Sequence, residues 1–520
     1  MQKADESTSL RGGLPFAALL LALGLGLHLW RLGHWTPLPD EVNYGLSARY
    51  LIEHRTLVGH DIMFFPPLFV YLAALLQLAG TELLTSVRLI SAVSGALVLP
   101  VLYVALRGLY GERTARLASL AALPLSSLHL YSRLGQVEVP ALALVAGGIC
   151  LLLQLVQTDQ RRYAFWSGLM LGFALWVKET ALGAAATAVL FLLATKPRRG
   201  RNFALLAAGW LIPAAPLILL GVATGNDLFF EVSASRGYDI NMLKLSPLTN
   251  LLTTGANMGY NLFPRLFYRW EFILFAVAAP LTLLALGWQT MRGALQRHLF
   301  PLFVTSYLVV HLPFFILFSR KFDYYLLPAA LLLLVGGSAE ALAASTRDAR
   351  RGFTDRVVVP ACLVLTVLLV GFNIYSCRFL YWNRGTHRTF ADAVRAVRPG
   401  SGLATSHPSL ARYINDRGGL GLNVTPLFKK GSYEVAWSSA TSPAVTTLLM
   451  KRNYFDALVE QPARPLDSLM SLFPKTQVTA DPDWSIWLAL EAETQKTGAS
   501  RIVRRLRHAF RPVGVVALRR

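Results

Sequence analysis

The sequence predicts a polytopic α-helical membrane protein of about eleven spans, with interfacial helices in its first outer loop and a small C-terminal α/β extracytoplasmic domain. Three observations carry this. Of 520 residues, 54% are hydrophobic and only 15% are charged, and mean hydropathy is +0.46, a balance rare among soluble domains. Stretches 14–30, 88–106, 202–222 and 357–376 each supply the about 20 mainly apolar residues that a helix needs to cross a bilayer's hydrocarbon core. Arginines and lysines gather in short tracts between such runs, and tracts of this kind stay on the cytoplasmic side.

The formal charge of +21 would suggest a nucleic-acid partner in a soluble chain. Here its distribution reads as topology and contact with the lipid bilayer, and no nucleic acid is expected. Cys150 and Cys362 fall inside apolar runs and leave Cys377 alone near a membrane edge, so no disulfide is implied. The first run follows Lys3 and Arg11 but lacks a small-residue cleavage site, which makes it an uncleaved anchor.

With residues 1–12 placed in the cytoplasm, the span 13–31 runs outward into a loop from 32 to 86. Residues 40–54 form one helix of that loop, and 66–80, too short to cross comfortably, lies at the interface as another. The span 87–106 then returns Arg107, Arg113 and Arg116 to the cytoplasm. Spans 117–131 and 139–157 bring Arg161 and Arg162 inside; 164–177 and 180–195 do the same for Lys196, Arg198, Arg199 and Arg201. After 202–222 and an outer loop over 223–270, spans 271–290, 299–318, 322–343 and 357–376 keep Arg292, Arg297, Arg347, Arg350, Arg351 and Arg356 inside. The chain is thus a multi-pass protein of the plasma (inner) membrane, with a spanning domain over 13–376.

From 377 to 495 helical signals such as 387–397 alternate with strand-like pieces at 402–406, 453–459 and 485–490, which predicts the α/β domain. Residues 496–520 read as a basic tail, with Arg501, Arg504, Arg505, Arg507 and His508 suited either to an anionic headgroup surface or to disorder.

Ionisable residues that topology does not explain collect at the outer boundary, where such groups are usually functional. Asp40 and Glu41 open the helix 40–54 and suit both a first-turn acid and a reactive carboxylate. Glu138 lies in a turn between apolar spans and needs a partner, with Arg133 the nearest in sequence. Lys178 reads either as a snorkelling anchor beside Glu179 or as a cation for a substrate. Arg320 and Lys321 precede Asp323, Tyr324 and Tyr325 and double as interfacial anchors, while His60 with Asp61 is the weakest signal.

These residues resemble the glycosyltransferase-C superfamily, in particular the protein O-mannosyltransferase and lipid A aminoarabinose transferase relatives, over about residues 13–340. The pieces, in order, are Pro39-Asp40-Glu41 with Tyr44 and Ala48-Arg49-Tyr50, the double proline Pro66-Pro67, Arg88-Leu89-Ile90-Ser91 at the start of a span, Tyr131-Ser132-Arg133-Leu134 followed by an acid, Lys178 after the Gly168–Gly172 span, and Arg320-Lys321-Phe-Asp-Tyr-Tyr-Leu-Leu-Pro328. The resemblance implies an inverting glycosyltransferase that moves a sugar from a polyprenyl-phosphate-linked donor to a hydroxyl of a lipid, glycan or protein acceptor on the non-cytoplasmic face. It implies Asp40 as the catalytic carboxylate, joined by Glu41 and Glu138, with Lys178, Arg320, Lys321 and Arg133 for the donor phosphate and Tyr44, His60 and Tyr324 lining the cavity. Relatives often carry a lysine just before the double proline; here Phe64 and Phe65 stand there, which moves the phosphate contact to Lys178, Arg320 and Lys321.

The chemistry needs a base for the attacking hydroxyl and positive charge for the departing phosphate, with no obligatory general acid. A divalent metal, Mg or Mn, on Asp40 and Glu138 with Glu41 fits the all-oxygen ligand set. Two other readings share the topology: an enzyme that polymerises or ligates lipid-linked glycans, and a secondary transporter with a discontinuous helix around Lys178. Transport is disfavoured because no inverted repeat is found and the ionisable residues sit on one face.

Overall fold

The structure, a computed structural model, describes residues 6–33, 37–58, 66–195, 200–224, 247–263, 269–317, 326–346, 353–382, 388–405, 408–427, 435–440, 442, 444–451, 475–479 and 515–519. His60, Asp61, Arg320, Lys321, Asp323, Tyr324, the strand-like pieces at 453–459 and 485–490 and the basic run Arg501 to His508 lie outside them.

The chain forms two compact units. One comprises Met1–Leu32, Ser47–Phe230 and Asn241–Trp382; the other includes Gly33–Leu46 and Asn383–Arg520. Helices of the first part of the chain are α1 (Glu6–Leu29), α2 (Pro39–Glu53), α3 (Leu68–Leu78), α4 (Leu83–Tyr110), α5 (Glu112–Ala122), α6 (Ser126–Arg133) and α7 (Glu138–Thr158). They continue as α8 (Arg162–Leu175), α9 (Ala181–Thr195), α10 (Gly200–Ala223), α11 (Pro247–Leu262), α12 (Arg269–Leu295), α13 (Leu299–Leu317), α14 (Leu327–Thr346) and α15 (Phe353–Trp382).

Five helical stretches among the described residues, Leu83–Tyr110, Glu138–Thr158, Gly200–Ala223, Leu327–Thr346 and Arg356–Cys377, are long and apolar enough to cross a membrane. Gly13–Leu29, Leu68–Leu78, Ala181–Thr195 and Leu299–His311 are apolar but shorter. The expected span at 117–131 departs most from prediction, because two helices, α5 and α6, occupy it with a break at Leu123–Leu125. Pro124 supplies no backbone N–H to continue the ladder; Leu123 keeps helical dihedrals, φ −55° and ψ −44°, and the chain turns out of the helix at Leu125, φ −56° and ψ 105°.

Helix ends follow local chemistry. Gly111, at φ +81°, divides α4 from α5, and Asp159 closes α7 at φ +60° before Arg161 and Arg162. Packing is closest between α8 and α10, where a Cβ on Gly168 would meet the Leu206 carbonyl and one on Gly209 the Phe165 carbonyl. Small residues let helix backbones touch where lipid provides no hydrophobic drive for association.

The second unit carries α16 (Arg388–Arg395), β1 (Gly402–Thr405), α17 (Pro408–Gly418), β2 (Asn423–Pro426), α18 (Trp437–Ala440), β3 (Val445–Lys451), β4 (Lys475–Thr479) and β5 (Val515–Arg519). The strands form one sheet in the order β2-β1-β3-β5-β4. β1 is parallel to β2 and β3, with Leu403 opposite Val424 and Thr447, whereas β5 runs antiparallel to β3 and β4. All four β1 residues are buried, as an inner parallel strand requires.

β5 falls in the stretch expected as a basic tail. Its Val-Val-Ala-Leu run is the β-forming piece of that stretch, and pairing with β3 and β4 places it inside the sheet. Deleting residues 515–520 removes the strand between β3 and β4 and bares an edge on each. Limited proteolysis of that truncation should therefore cut within 383–520 faster than wild type, with the helical unit left intact.

A charged cleft in the helical unit

α8 ends at Leu175 and α9 begins at Ala181, so the apolar stretch 164–195 is split by the turn that holds Lys178 and Glu179. Backbone bonds fix that turn: Lys178 N–H donates to the Ala174 carbonyl at 2.9 Å, and Ala181 N–H to the Lys178 carbonyl at 3.0 Å. The Lys178 ammonium lies 3.5 Å from Glu138 Oε1 and 3.4 Å from Glu179 Oε1. Side chains of Lys178 and Glu138 are only 7% and 6% exposed. Removing two such charges from water costs several kcal/mol per ion, which mutual attraction offsets only in close geometry.

The pair lines a small cleft with room for about 30 Å³ of water-sized volume. One wall is apolar, with Ala141, Leu142 and Val145 from α7 and Ala181 and Ala184 from α9, and Tyr307 of α13 and Pro328 of α14 complete the lining. Tyr307, a buried phenol, was not singled out by the sequence. It sits in the middle of an apolar helix as an ordinary interfacial or core aromatic would, so no local signal marked it.

A second turn is tied to this one. Leu68 N–H, directly after the double proline, donates to the Trp176 carbonyl at 2.9 Å, and the Tyr71 and Trp176 rings are 6.4 Å apart. Pro66 and Pro67 are buried. The double-proline turn is thus anchored two residues before Lys178.

The expected partner of Glu138, Arg133, is bound elsewhere. Its guanidinium donates to the carbonyls of Leu27, Trp30 and Arg31 at the end of α1, with distances of 3.1 Å to Leu27 and Arg31. Asp40, Glu41 and Tyr44 are carried by α2, in the segment grouped with the second unit. Glu41 is fully buried, and its Oε2 accepts the Leu38 N–H at 3.0 Å, a cap on the start of α2. Asp40 is half-exposed. Of the sequence candidates, the structure brings Glu138 and Lys178 together, with Glu179 beside them. Among the described residues, no group of three or more His, Cys, Asp or Glu could hold a metal ion.

Bundle and cleft define a helical protein with helices long and apolar enough to cross a membrane and a buried ion pair in its core. Residues 65–220 match the dolichyl-phosphate-mannose-protein mannosyltransferase family. ArnT from Cupriavidus metallidurans, in a crystal structure bound to undecaprenyl phosphate, is 15% identical and aligns over 99% of this chain and 98% of its own, with a TM-score of 0.51. The archaeal oligosaccharyltransferase AglB from Archaeoglobus fulgidus, in complex with an inhibitory peptide and a dolichol-phosphate, is 12% identical over 90% of this chain and 73% of its own, with a TM-score of 0.54. No curated protein matches the chain in sequence. The chain shares the fold of these solved structures.

Lys178→Met leaves Glu138 without its buried cation and should lower stability by about 3–5 kcal/mol. Lys178→Met combined with Glu138→Leu should recover most of that loss, because both charges are then gone. Thermal unfolding in detergent of the two single variants and the double variant measures the coupling.

Proposed function

We propose that this protein is an inverting glycosyltransferase that moves a sugar from a polyprenyl-phosphate-linked donor to a hydroxyl acceptor on the non-cytoplasmic face of the membrane. The observation that carries the reading is the Lys178–Glu138 pair at a cleft with one apolar wall. A polyprenyl-phosphate sugar joins an anionic phosphate to an apolar chain, and the cleft offers a cation beside an apolar surface. ArnT and AglB, which share the fold, have been captured with undecaprenyl phosphate and a dolichol-phosphate.

In this reading the Asp40 carboxylate takes the proton of the acceptor hydroxyl, whose oxygen attacks the anomeric carbon. The bond from that carbon to the phosphate oxygen breaks, and the phosphate leaves with the electron pair. Lys178 meets the charge that develops on it, and Arg320 and Lys321 are proposed to join it there. Glu138, 3.5 Å from the ammonium, holds it in place. Glu41 is committed to capping α2, which favours its neighbour Asp40 as the base.

The missing lysine before the double proline also fits. Relatives that the sequence resembles place a cation there, and here that turn is bonded to the Lys178 turn through Leu68 and Trp176. Lys178 can supply the same charge from the other side of the contact.

Purified protein incubated with several polyprenyl-phosphate sugars should yield a glycosylated acceptor and free polyprenyl phosphate, both identified by mass. Asp40→Asn should abolish transfer while the protein stays folded and inserted. Lys178→Ala should raise KM for the donor before it lowers kcat. Transfer at the wild-type rate by folded Asp40→Asn would remove the mechanism.

A further inference from the structure

Tyr307, on α13, brings to the cleft a polar group that the proposed reaction does not use. Only 6% of the residue is exposed, yet among the described residues its hydroxyl makes no hydrogen bond. Burying a hydroxyl without a partner is costly, and most buried hydroxyls in folded proteins have one. The same helix uses Phe300 and Phe303 where a buried ring alone is needed. A phenol kept at position 307 therefore points to a partner that comes from outside the chain.

The ring is braced for such a partner. His311 stacks on it, with centroids 4.0 Å apart and planes 24° from parallel, and His311 Nδ1 lies 2.9 Å from the Tyr307 carbonyl oxygen. His311 in turn lies against α9, where a Cβ on Gly183 would collide with its ring. Tyr307 is thereby tied to the first turn of the helix that follows Lys178.

The groups that share the cleft narrow what the partner can be. Lys178, Glu138 and Tyr307 all line it, and all belong to the helical unit. Its water-sized volume is about 30 Å³. A single water needs about 10–15 Å³ on that measure, so the space takes one or two such groups and excludes a whole sugar ring. A carboxylate only accepts hydrogen bonds, an ammonium only donates them, and a phenol does either. Inside this space a phosphate oxygen would face Glu138 as a like charge, and a cation would face Lys178 in the same way. A neutral hydroxyl donates to Glu138 while it accepts from Lys178 or Tyr307, and the apolar wall suits the C–H groups beside it.

We propose that Tyr307, together with Glu138 and Lys178, forms a subsite for one hydroxyl of the donor sugar and so helps to set which sugars are accepted, an inference that rests on the transferase reading. The hydroxyl on the carbon next to the anomeric centre fits best. It lies close enough to the phosphate for one ammonium to serve both groups.

The test uses the donor that gives product with wild-type protein and its monodeoxy analogues, each lacking one hydroxyl. Their kcat/KM values are measured with wild type and with Tyr307→Phe, which keeps the ring and removes only the phenolic oxygen. For one analogue, the ratio of parent to analogue kcat/KM should shrink by about 3–10-fold in Tyr307→Phe, the size of one neutral hydrogen bond. The ratios for the other analogues should stay at their wild-type values. Tyr307→Phe should also melt no lower than wild type, since it strands no polar group.

Unchanged ratios for every analogue would overturn the proposal, as would a shift shared equally by all of them, which is what a hydroxyl holding only an internal water would give. A clearly lower melting temperature would do the same, by assigning the hydroxyl a partner within the protein. Absence of product from wild type with every donor removes the transferase reading and this subsite together, whereas product with unmoved ratios removes the subsite alone.

Discussion

An ammonium and a carboxylate 3.5 Å apart, almost sealed from solvent, form the constraint around which the helical unit is arranged. In hydrocarbon an isolated lysine or glutamate at this depth is expensive, so the two persist only together. Their contact brings the first residue of α7 against the turn between α8 and α9, where the apolar stretch 164–195 is divided. The break leaves two short helices with a polar hinge, and the space between that hinge and α7 is the cleft. A pair kept at such cost, in a place where two leucines would pack more cheaply, adds little net stability of its own, although removing either partner strands the other.

Much of the bundle was legible because apolar length is a strong signal. The helices α1, α4, α7 and α10 lie within a few residues of the expected spans at 13–31, 87–106, 139–157 and 202–222. A short apolar helix stands within the expected 66–80, as α3. Where prediction missed, a competing local rule won. Pro124 cut the run 117–131, and β5 hid behind a basic stretch because its apolar residues are too few to stand out. The sites show a different limit. Arg133 is five residues from Glu138 and Lys178 is forty, yet Lys178 is the one that meets it. Sequence proximity is a poor guide to partners across helices, and the donors of Arg133 went to backbone carbonyls that no side-chain pattern announces.

Asp40 and Glu41 illustrate the same limit at closer range. Both are first-turn acids, and propensity treats them alike. Burial separates them, because Glu41 turns inward and spends its carboxylate on the Leu38 N–H, while Asp40 keeps part of its surface open. The difference in environment between two adjacent acids is thus set by which one faces the start of its own helix.

A fold shared at 15% identity over nearly the whole chain means that most side chains are exchangeable so long as apolar length and close helix contact persist. What cannot be exchanged freely is charge in the interior, since each buried ion needs a partner in place. A cation lost from the double-proline turn can be recovered only from a segment already in contact with it, and the bond from Leu68 to Trp176 provides such a segment. Glu138 then becomes necessary in turn, because a buried lysine without a carboxylate beside it is an uncompensated charge. The position of the cation and the presence of its acidic partner are therefore one structural decision, taken at the contact between the two turns.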